Sequence, residues 1–467
     1  MTTLSKTARQ VVSFGGSCQM SYAKFLLRKA VSDVYGGFNS QELNRHLFDF
    51  QKPIISWALK KGRAAIFADT GLGKTLMQLS WSDAVVDHTG GKVLIVTPLC
   101  IAQQTLEEGI KFGVLTKYCR HQSEVGNIDI VITNYEMLSY FDESQFVGVV
   151  LDESSILKGE DSKTRTAVIR KFENTPYRLS CTATPSPNDY MELGSQAEFL
   201  GVMRHVEMLA MFFTHDGKET SKWRLKGHGK TKFWEWLSTW AVFIRNPSDL
   251  GFDGSRYILP PLHIIDHKID VDLPIANTMT ERRIARKASV IDRCNLLAKI
   301  VNDTDEPYVI WCNLNEESSL LAKLIPDAVE VYGSLAPNQK EERLMSFSHG
   351  QSRVIISKAK ISGFGLNWQH CRRVGFVGLD DSFEKYYQAV RRCYRFGQTK
   401  EVYVDIVYTS AEGAVKDNLE RKQMQADVMA EEMLAHMREF TRREVIGTAK
   451  ERTDYAPTKT LEIPSWL

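Results

Sequence analysis

Short apolar runs of four or five residues recur along this chain, separated by longer stretches whose apolar positions have helical spacing. In the first half the runs fall at 64–67, 93–97, 128–132, 147–151 and 177–180. In the second half they fall at 308–312, 353–357, 374–377 and 403–407. The runs are continuous rather than alternating, which suits parallel strands covered on both faces. Strands separated by helices predict βαβ units. The pattern therefore predicts an α/β protein of two parallel-sheet lobes in tandem. The expected boundaries are an N-terminal extension at 1–40, a first lobe at 41–200, an insert at 201–258, a second lobe at 259–410 and a C-terminal helix and tail at 411–467.

The insert stands apart in composition. It holds Phe212, Phe213, Trp223, Phe233, Trp234, Trp236, Trp240 and Phe243. Trp234, Trp236 and Trp240 lie in an apolar, helix-like stretch and are expected to form the small core of a mostly helical protrusion. The segment 217–232 carries Lys218, Lys222, Arg224, Lys226, Lys230 and Lys232 against Glu219, with three glycines. Cationic side chains beside tryptophan suit phosphate contact and base stacking, so this loop is a candidate for touching nucleic acid. In the tail, Val415, Leu419, Val428, Met433 and Met437 recur along a charged stretch and predict a helix packed on the second lobe.

Composition narrows the class. At 467 residues the chain exceeds one ordinary domain, and the length suggests about three. A hydrophobic content of 43% is enough for large cores. The net charge of +2 means that any nucleic-acid site is a local patch. The eight cysteines are scattered singly, and no CxxC pair points to a zinc ribbon or a disulfide framework. Cys119 with His121 is too small a set for a metal site. Met1 to Phe14 lacks a signal-peptide core, and no run of 18 apolar residues could span a membrane. A cytoplasmic protein without membrane contact is the expectation.

The most telling segment is Ala68-Asp69-Thr70-Gly71-Leu72-Gly73-Lys74-Thr75. It follows the apolar run 64–67 and precedes a helix-like stretch at Leu76. Backbone N–H groups of such a turn and of the helix start point at phosphates. Gly71 and Gly73 let the backbone wrap closely, Lys74 can reach the β- and γ-phosphates, and the Thr75 hydroxyl can ligate Mg²⁺. Thr70, Gly71, Leu72, Gly73, Lys74 and Thr75 are thus the candidate triphosphate cradle. The pattern usually opens with glycine, and Ala68 stands there instead.

Val149-Val150-Leu151 runs into Asp152-Glu153. Two carboxylates at the end of a buried strand beside a phosphate loop have a ready division of labour. Asp152 would hold Mg²⁺ through its water shell, and Glu153 would orient and deprotonate the attacking water. Transfer also needs positive charge against the γ-phosphoryl oxygens, supplied from outside the loop's own lobe. The stretch 388–398 offers Arg391, Arg392 and Arg395, and the last two share a helical face.

Taken in order, these segments resemble the superfamily-two helicases, and within them the Swi/Snf-like DNA translocases. The resemblance covers roughly 40–425. It is carried by Phe50-Gln51, by 94–104 (LIVTPLCIAQQ), by 132–138 (ITNYEML), by 152–158 (DESSILK), by 179–185 (LSCTATP), by 362–368 (SGFGLNW) and by 388–398, together with the phosphate loop. The chain departs from the family at Ser155, where the family has His, at Arg391, where it has Asp, and at Tyr394, where it has His. Asp69-Thr70 is closer to the DEAD-box form of the loop.

The resemblance implies two RecA-like lobes with ATP-Mg²⁺ between them. It implies adenine reading by Gln51, and further ATP contacts from Gly363 and Gln388. It implies relay of the γ-phosphate state by Thr182 and Thr184. Nucleic-acid contacts would come from Thr97, Thr133, Gly363 and Gly365. It implies an ATPase acting as a single chain that translocates on duplex DNA, with protein partners unspecified. A strand-separating helicase is the alternative, and an ATP-switched binding scaffold with weak hydrolysis is a third reading. Lys74, Glu153 and Arg395 argue against the third.

Overall fold

The computed structural model describes residues 36–40, 42–158, 163–186, 189–215, 223–271, 278–362, 367–380 and 382–447. The first lobe is built on β1 (Arg63–Ala68), β2 (Lys92–Thr97), β3 (Thr116–Tyr118), β4 (Ile130–Asn134), β5 (Phe146–Asp152) and β6 (Tyr177–Thr182). A small antiparallel hairpin, β7 (Phe213–His215) with β8 (Trp223–Leu225), is followed by β9 (Ala241–Ile244). The first sheet runs β3-β4-β2-β5-β6-β1-β9, and every pair is parallel. Its apolar runs are buried throughout, as at Ala64–Ala68 and Val93–Val96, because helices cover both faces.

The register fixes where the chemistry sits. Phe67 pairs with Thr182, and Asp152 pairs with Cys181. The carboxyl ends of β1 and β5 therefore lie at one level, two strand spacings or about 10 Å apart. Ligands in open parallel sheets bind outside such strand ends.

The second lobe is built on β10 (Leu262–Ile269), β11 (Tyr308–Cys312), β12 (Ala328–Val331), β13 (Val354–Lys358), β14 (Arg373–Val377) and β15 (Val402–Thr409). They pair in the order β10-β15-β14-β11-β13-β12, all parallel. The α/β, two-lobe expectation holds.

The aromatic segment is not a separate protrusion. Its residues Ala241–Ile244 form β9, the edge strand beside β1, with Ala65 opposite Ala241 and Ala68 opposite Ile244. Phe233, Trp234, Trp236 and Trp240 join the first-lobe core, where Trp240 meets Phe67 edge-on at 6.2 Å. The first lobe thus continues through the expected insert. Lys218 and Lys222 lie outside the described residues. Of the others, Lys226 donates to the carbonyls of Ala210 and Met211, Lys230 pairs with Glu432, and Lys232 pairs with Glu235.

The C-terminal helix, Gly413–Ile446, also departs from expectation. Its 34 residues span about 50 Å. Val415 and Leu419 enter the second-lobe core, but Met433 and Met437 enter the first-lobe core. Between them Met424 and Val428 are exposed. Two short i,i+4 stripes separated by a solvated stretch dock one helix on both lobes. Arg438 pairs with Asp249 at 2.9 Å, and Glu444 with the buried Lys61 at 3.1 Å. Met437→Ala should cost about 2–5 kcal/mol of first-lobe stability, read as a lower urea midpoint. An unshifted midpoint would contradict docking of this helix on the first lobe.

Candidate functional site

β1 ends at Ala68, a fully buried core residue, and the chain turns through Asp69–Gly73 into the helix Lys74–Thr89. Gly71 and Gly73 have φ of 88° and 75°, a region that side chains resist. Space is a second constraint: a Cβ on Gly71 would fall 2.7 Å from the backbone nitrogen of Phe396, so the second lobe's chain lies directly against the loop. The Lys74 ammonium donates to the carbonyls of Ala68 at 2.8 Å and Asp69 at 3.3 Å. Leu72 packs its side chain into the core and leaves only its backbone to the loop.

Gln51, the expected adenine reader, sits behind the phosphate loop with its amide on backbone groups. It is fully buried, its Nε2 donates to Leu72 O at 2.8 Å, and its Oε1 accepts from Phe48 N–H at 2.9 Å. With both ends of its amide engaged by backbone, it braces the loop from behind.

Asp152 closes β5. Its two oxygens accept from Gln78 Nε2 at 2.7 Å and from the Thr97 hydroxyl at 3.1 Å, and Tyr135 donates its hydroxyl to the Asp152 carbonyl at 2.7 Å. Glu153 follows with φ of 51°, the one positive φ outside glycine among the described residues. Such a conformation costs on the order of 1 kcal/mol or more and collects at functional sites. Glu153 Oε2 is buried with no hydrogen-bond partner. Burial raises both carboxyls above the usual range, opposed by Lys74. Behind them, Gln196 donates to Ser154 O at 2.8 Å and accepts from the Ser180 hydroxyl, tying this turn to β6.

From the second lobe, the helix Phe383–Val390 leads into a turn that carries Arg392 and Arg395. Arg392 donates to Gln388 O and Gln388 Oε1, each at 2.9 Å. Gln388, fully buried, positions that guanidinium instead of lining the cavity. Burial, and then the neighbouring Arg392, lower the Arg395 pKa to about 10, with Glu108 and Glu153 acting the other way.

One cavity of about 270 Å³ gathers these groups. It is lined by Thr70, Gly71, Gly73, Lys74, Thr75, Asp152 and Glu153 from the first lobe and by Arg392, Arg395 and Phe396 from the second. Sequence reading missed Gln104, Glu108, Asn367 and Gln369, which also line it. Gln104 donates to Glu108 at 2.9 Å, and burial raises the Glu108 carboxyl. Ile101, Gln104 and Glu108 share a face of the helix Leu99–Phe112, a spacing visible in the sequence but without direction.

The remaining expected residues fall elsewhere. Thr182 is buried, and its hydroxyl accepts from Thr184 N–H at 3.1 Å. Thr184 Oγ1 is buried with no hydrogen-bond partner. Thr97 and Thr133 are fully buried, so the expected nucleic-acid contact through their side chains is corrected. Both sit on interior strands whose two faces are covered, and Thr97 serves Asp152. Gly363 and Gly365 lie outside the described residues. A larger groove of about 620 Å³ borders Glu153 and is lined by Leu99, Arg120, Lys158, Lys340 and Lys360, among others. Lys158 there pairs with Glu384 of the second lobe. No helix among the described residues is long and apolar enough to cross a membrane.

Known proteins give the same order of parts. The SNF2-related domain matches residues 50–214, and the helicase conserved C-terminal domain matches residues 292–397. The SWI/SNF-related matrix-associated actin-dependent regulator of chromatin subfamily A-like protein 1 of Drosophila melanogaster is 22% identical over 428 residues, 82% of this chain and 56% of that protein. The DNA excision repair protein ERCC-6-like of Bos taurus is 28% identical over 36% of this chain and 16% of its own length. The ATP-dependent helicase FUN30 of Saccharomyces cerevisiae is 27% identical over 33% of this chain, again 16% of its own length. The chain thus spans about half of the fly protein and a smaller part of the other two. The Sulfolobus solfataricus SWI2/SNF2 ATPase core in complex with dsDNA has a TM-score of 0.42 at 18% identity, over 87% of this chain and 99% of that one. With both domains matched in order on two parallel sheets, this chain belongs to the Swi/Snf-like branch of the superfamily-two helicases.

Proposed function

We propose that this chain is a DNA-dependent ATPase motor that binds ATP with Mg²⁺ between its two lobes and translocates on duplex DNA. The observation that carries the reading is the shared cavity, with Lys74 and Glu153 on one wall and Arg392 and Arg395 on the other. The loop's N–H groups and Lys74 hold the β- and γ-phosphates. Glu153, desolvated and with one oxygen lacking a partner, accepts a proton from the water that attacks the γ-phosphorus. Arg395 and Arg392 balance charge on the phosphoryl oxygens as the bond to the β-phosphate breaks.

Thr75 and Asp152 are the residues that would hold Mg²⁺. Both line the cavity, and Asp152 is held in place by Gln78 and Thr97 with lone pairs left over for metal-bound water. The ion would supply charge neutralisation at the phosphates. For DNA, the groove carries Arg120, Lys340 and Lys360 beside Glu136 and Glu341, and those three cations, which show no base-reading pattern, are the groups that would meet phosphates. Glu153 borders both the cavity and the groove, so occupancy of one can bias the other.

ATP turnover measured with duplex DNA, single-stranded DNA, RNA and no nucleic acid tests the proposal. Stimulation should be largest with duplex, and triplex displacement should accompany it. Fork unwinding without triplex displacement would favour strand separation. Lys74→Ala should weaken ATP affinity about 10–100-fold, the worth of a hydrogen-bonded charge. Equilibrium binding of a fluorescent ATP analogue reads this, and an unchanged dissociation constant would remove Lys74 from the phosphate site.

A further inference from the structure

Asp69 and Arg391 face each other across the cleft, one residue before the phosphate loop proper and one residue before Arg392. The Asp69 Oδ1 accepts from Thr70 N–H at 2.6 Å and from the Tyr387 hydroxyl at 3.0 Å, and Oδ2 lies 3.5 Å from Arg391 Nη2. The Asp69 N–H donates to Ile244 O at 3.0 Å, which fixes the residue to β9. Arg391 lies between two rings, its guanidinium 5.0 Å from the centre of Tyr387 and 5.4 Å from that of Tyr394. Both charged side chains are largely buried, at 14% and 12% exposure. Two further charges border the pair: Arg245 at the end of β9, and Asp427 of the C-terminal helix, 3.9 Å apart.

We propose that Asp69 and Arg391 are positioning residues for ATP hydrolysis: their ion pair sets the second lobe's arginine turn in register with the phosphate loop. The proposal rests on the ATPase reading above. The mechanics follow from connectivity. Arg391 is adjacent to Arg392 and four residues before Arg395, so a tether at 391 limits where both guanidinium groups can be. Asp69 is equally close to the groups that hold phosphate, and the Lys74 ammonium donates to its carbonyl. A buried ion pair tolerates little displacement, because separating its members leaves each charge desolvated and uncompensated. The two tyrosines narrow the choice further: a flat guanidinium packs on aromatic faces better than a compact, strongly hydrated ammonium. Burial alone would raise the Asp69 carboxyl, yet Arg391, Thr70 N–H and Arg245 together bring it below the usual range, so the charge is present at neutral pH. Both partners stand where the chain departs from its family, Asp69 in a DEAD-box-like loop and Arg391 in place of Asp.

A double-mutant cycle on the full chain tests the pair. Asp69→Asn keeps an acceptor for Thr70 N–H, and Arg391→Met keeps an unbranched apolar stem while removing the charge. Each single change should lower kcat for duplex-stimulated ATP hydrolysis about tenfold, and the double variant should be no slower than the slower single, as coupled neighbours behave. KM for ATP should stay within about threefold, because the pair touches no phosphate and uniform binding is untouched. Arg391→Lys, which keeps the charge but packs less well on the rings, gives a second arm and should fall between wild type and Arg391→Met. Single variants with wild-type kcat, or losses that multiply in the double variant, would overturn the positioning role while leaving the ATPase reading intact. A wild-type chain that turns over no ATP with any nucleic acid would overturn both.

Discussion

Arg395→Ala is expected to slow ATP turnover by about 10³-fold, the lower end of what an arginine supplied from a second lobe contributes. The expectation rests on placement. Arg395 lines the same cavity as Lys74 and Glu153, and Phe396 beside it touches the loop at Gly71. Its guanidinium is desolvated next to Arg392, and burial and that neighbour lower its pKa to about 10. Two cations crowded in one cavity lose their mutual repulsion when a polyphosphate enters, so the site is built to favour an anion. Single-turnover hydrolysis isolates the chemical step: the rate should fall while ATP affinity changes much less. A near-normal single-turnover rate would leave the phosphoryl charge to Arg392.

Glu153→Gln is the second large effect. Glutamine keeps the shape but cannot take a proton, so turnover should drop about 10³-fold, within the range for a lost general base, while ATP still binds. The strained backbone at φ 51° should persist, since it is set by β5 and the following turn and not by the carboxyl group. The pH profile carries a sign. Burial raises the Glu153 carboxyl, and catalysis needs it deprotonated. The rate should therefore rise with pH through a value above the ordinary glutamate range and fall below it. The Gln variant should lose that acid limb. A variant that keeps both its rate and its limb would rule out Glu153 as the base.

Much of this site was legible in the sequence because its parts are local. A strand, a turn with Gly71 and Gly73, and a helix opening at Lys74 can be read from eight residues, and Asp152-Glu153 from one strand end. What was not legible depends on tertiary packing. Thr97 and Thr133 sit at strand ends that look exposed in one dimension, but β2 and β4 are interior strands and both side chains are sealed in. Gln51 precedes the loop at the family's distance, yet its amide is consumed by Leu72 O and Phe48 N–H. The run Ala241–Ile244 is only four residues and follows tryptophans at helical spacing, so the edge strand β9 hid inside a helical pattern. The two stripes of the C-terminal helix said that Met433 and Met437 are buried, not which lobe buries them. Glu108 was missed for the same reason, since a helix face has no address until the sheet beneath it is placed.

These cases separate two kinds of information. Spacing along the chain identifies chemistry that one turn can assemble. It says little about groups such as Gln104, Glu108 and Gln369, which reach the cavity from elements far apart in sequence. The closure of the cleft belongs to the second kind, and the Asp69–Arg391 pair, the Lys158–Glu384 pair and the long C-terminal helix are among the features that tie the two lobes together.

A structure of the full chain with a non-hydrolysable ATP analogue, Mg²⁺ and duplex DNA tests the central claim most directly. The γ-phosphoryl group should sit within hydrogen-bond reach, about 3 Å, of both the Lys74 ammonium and the Arg395 guanidinium. A nucleotide held by Lys74 and its loop alone, with Arg392 and Arg395 both turned away from its phosphates, would contradict that claim.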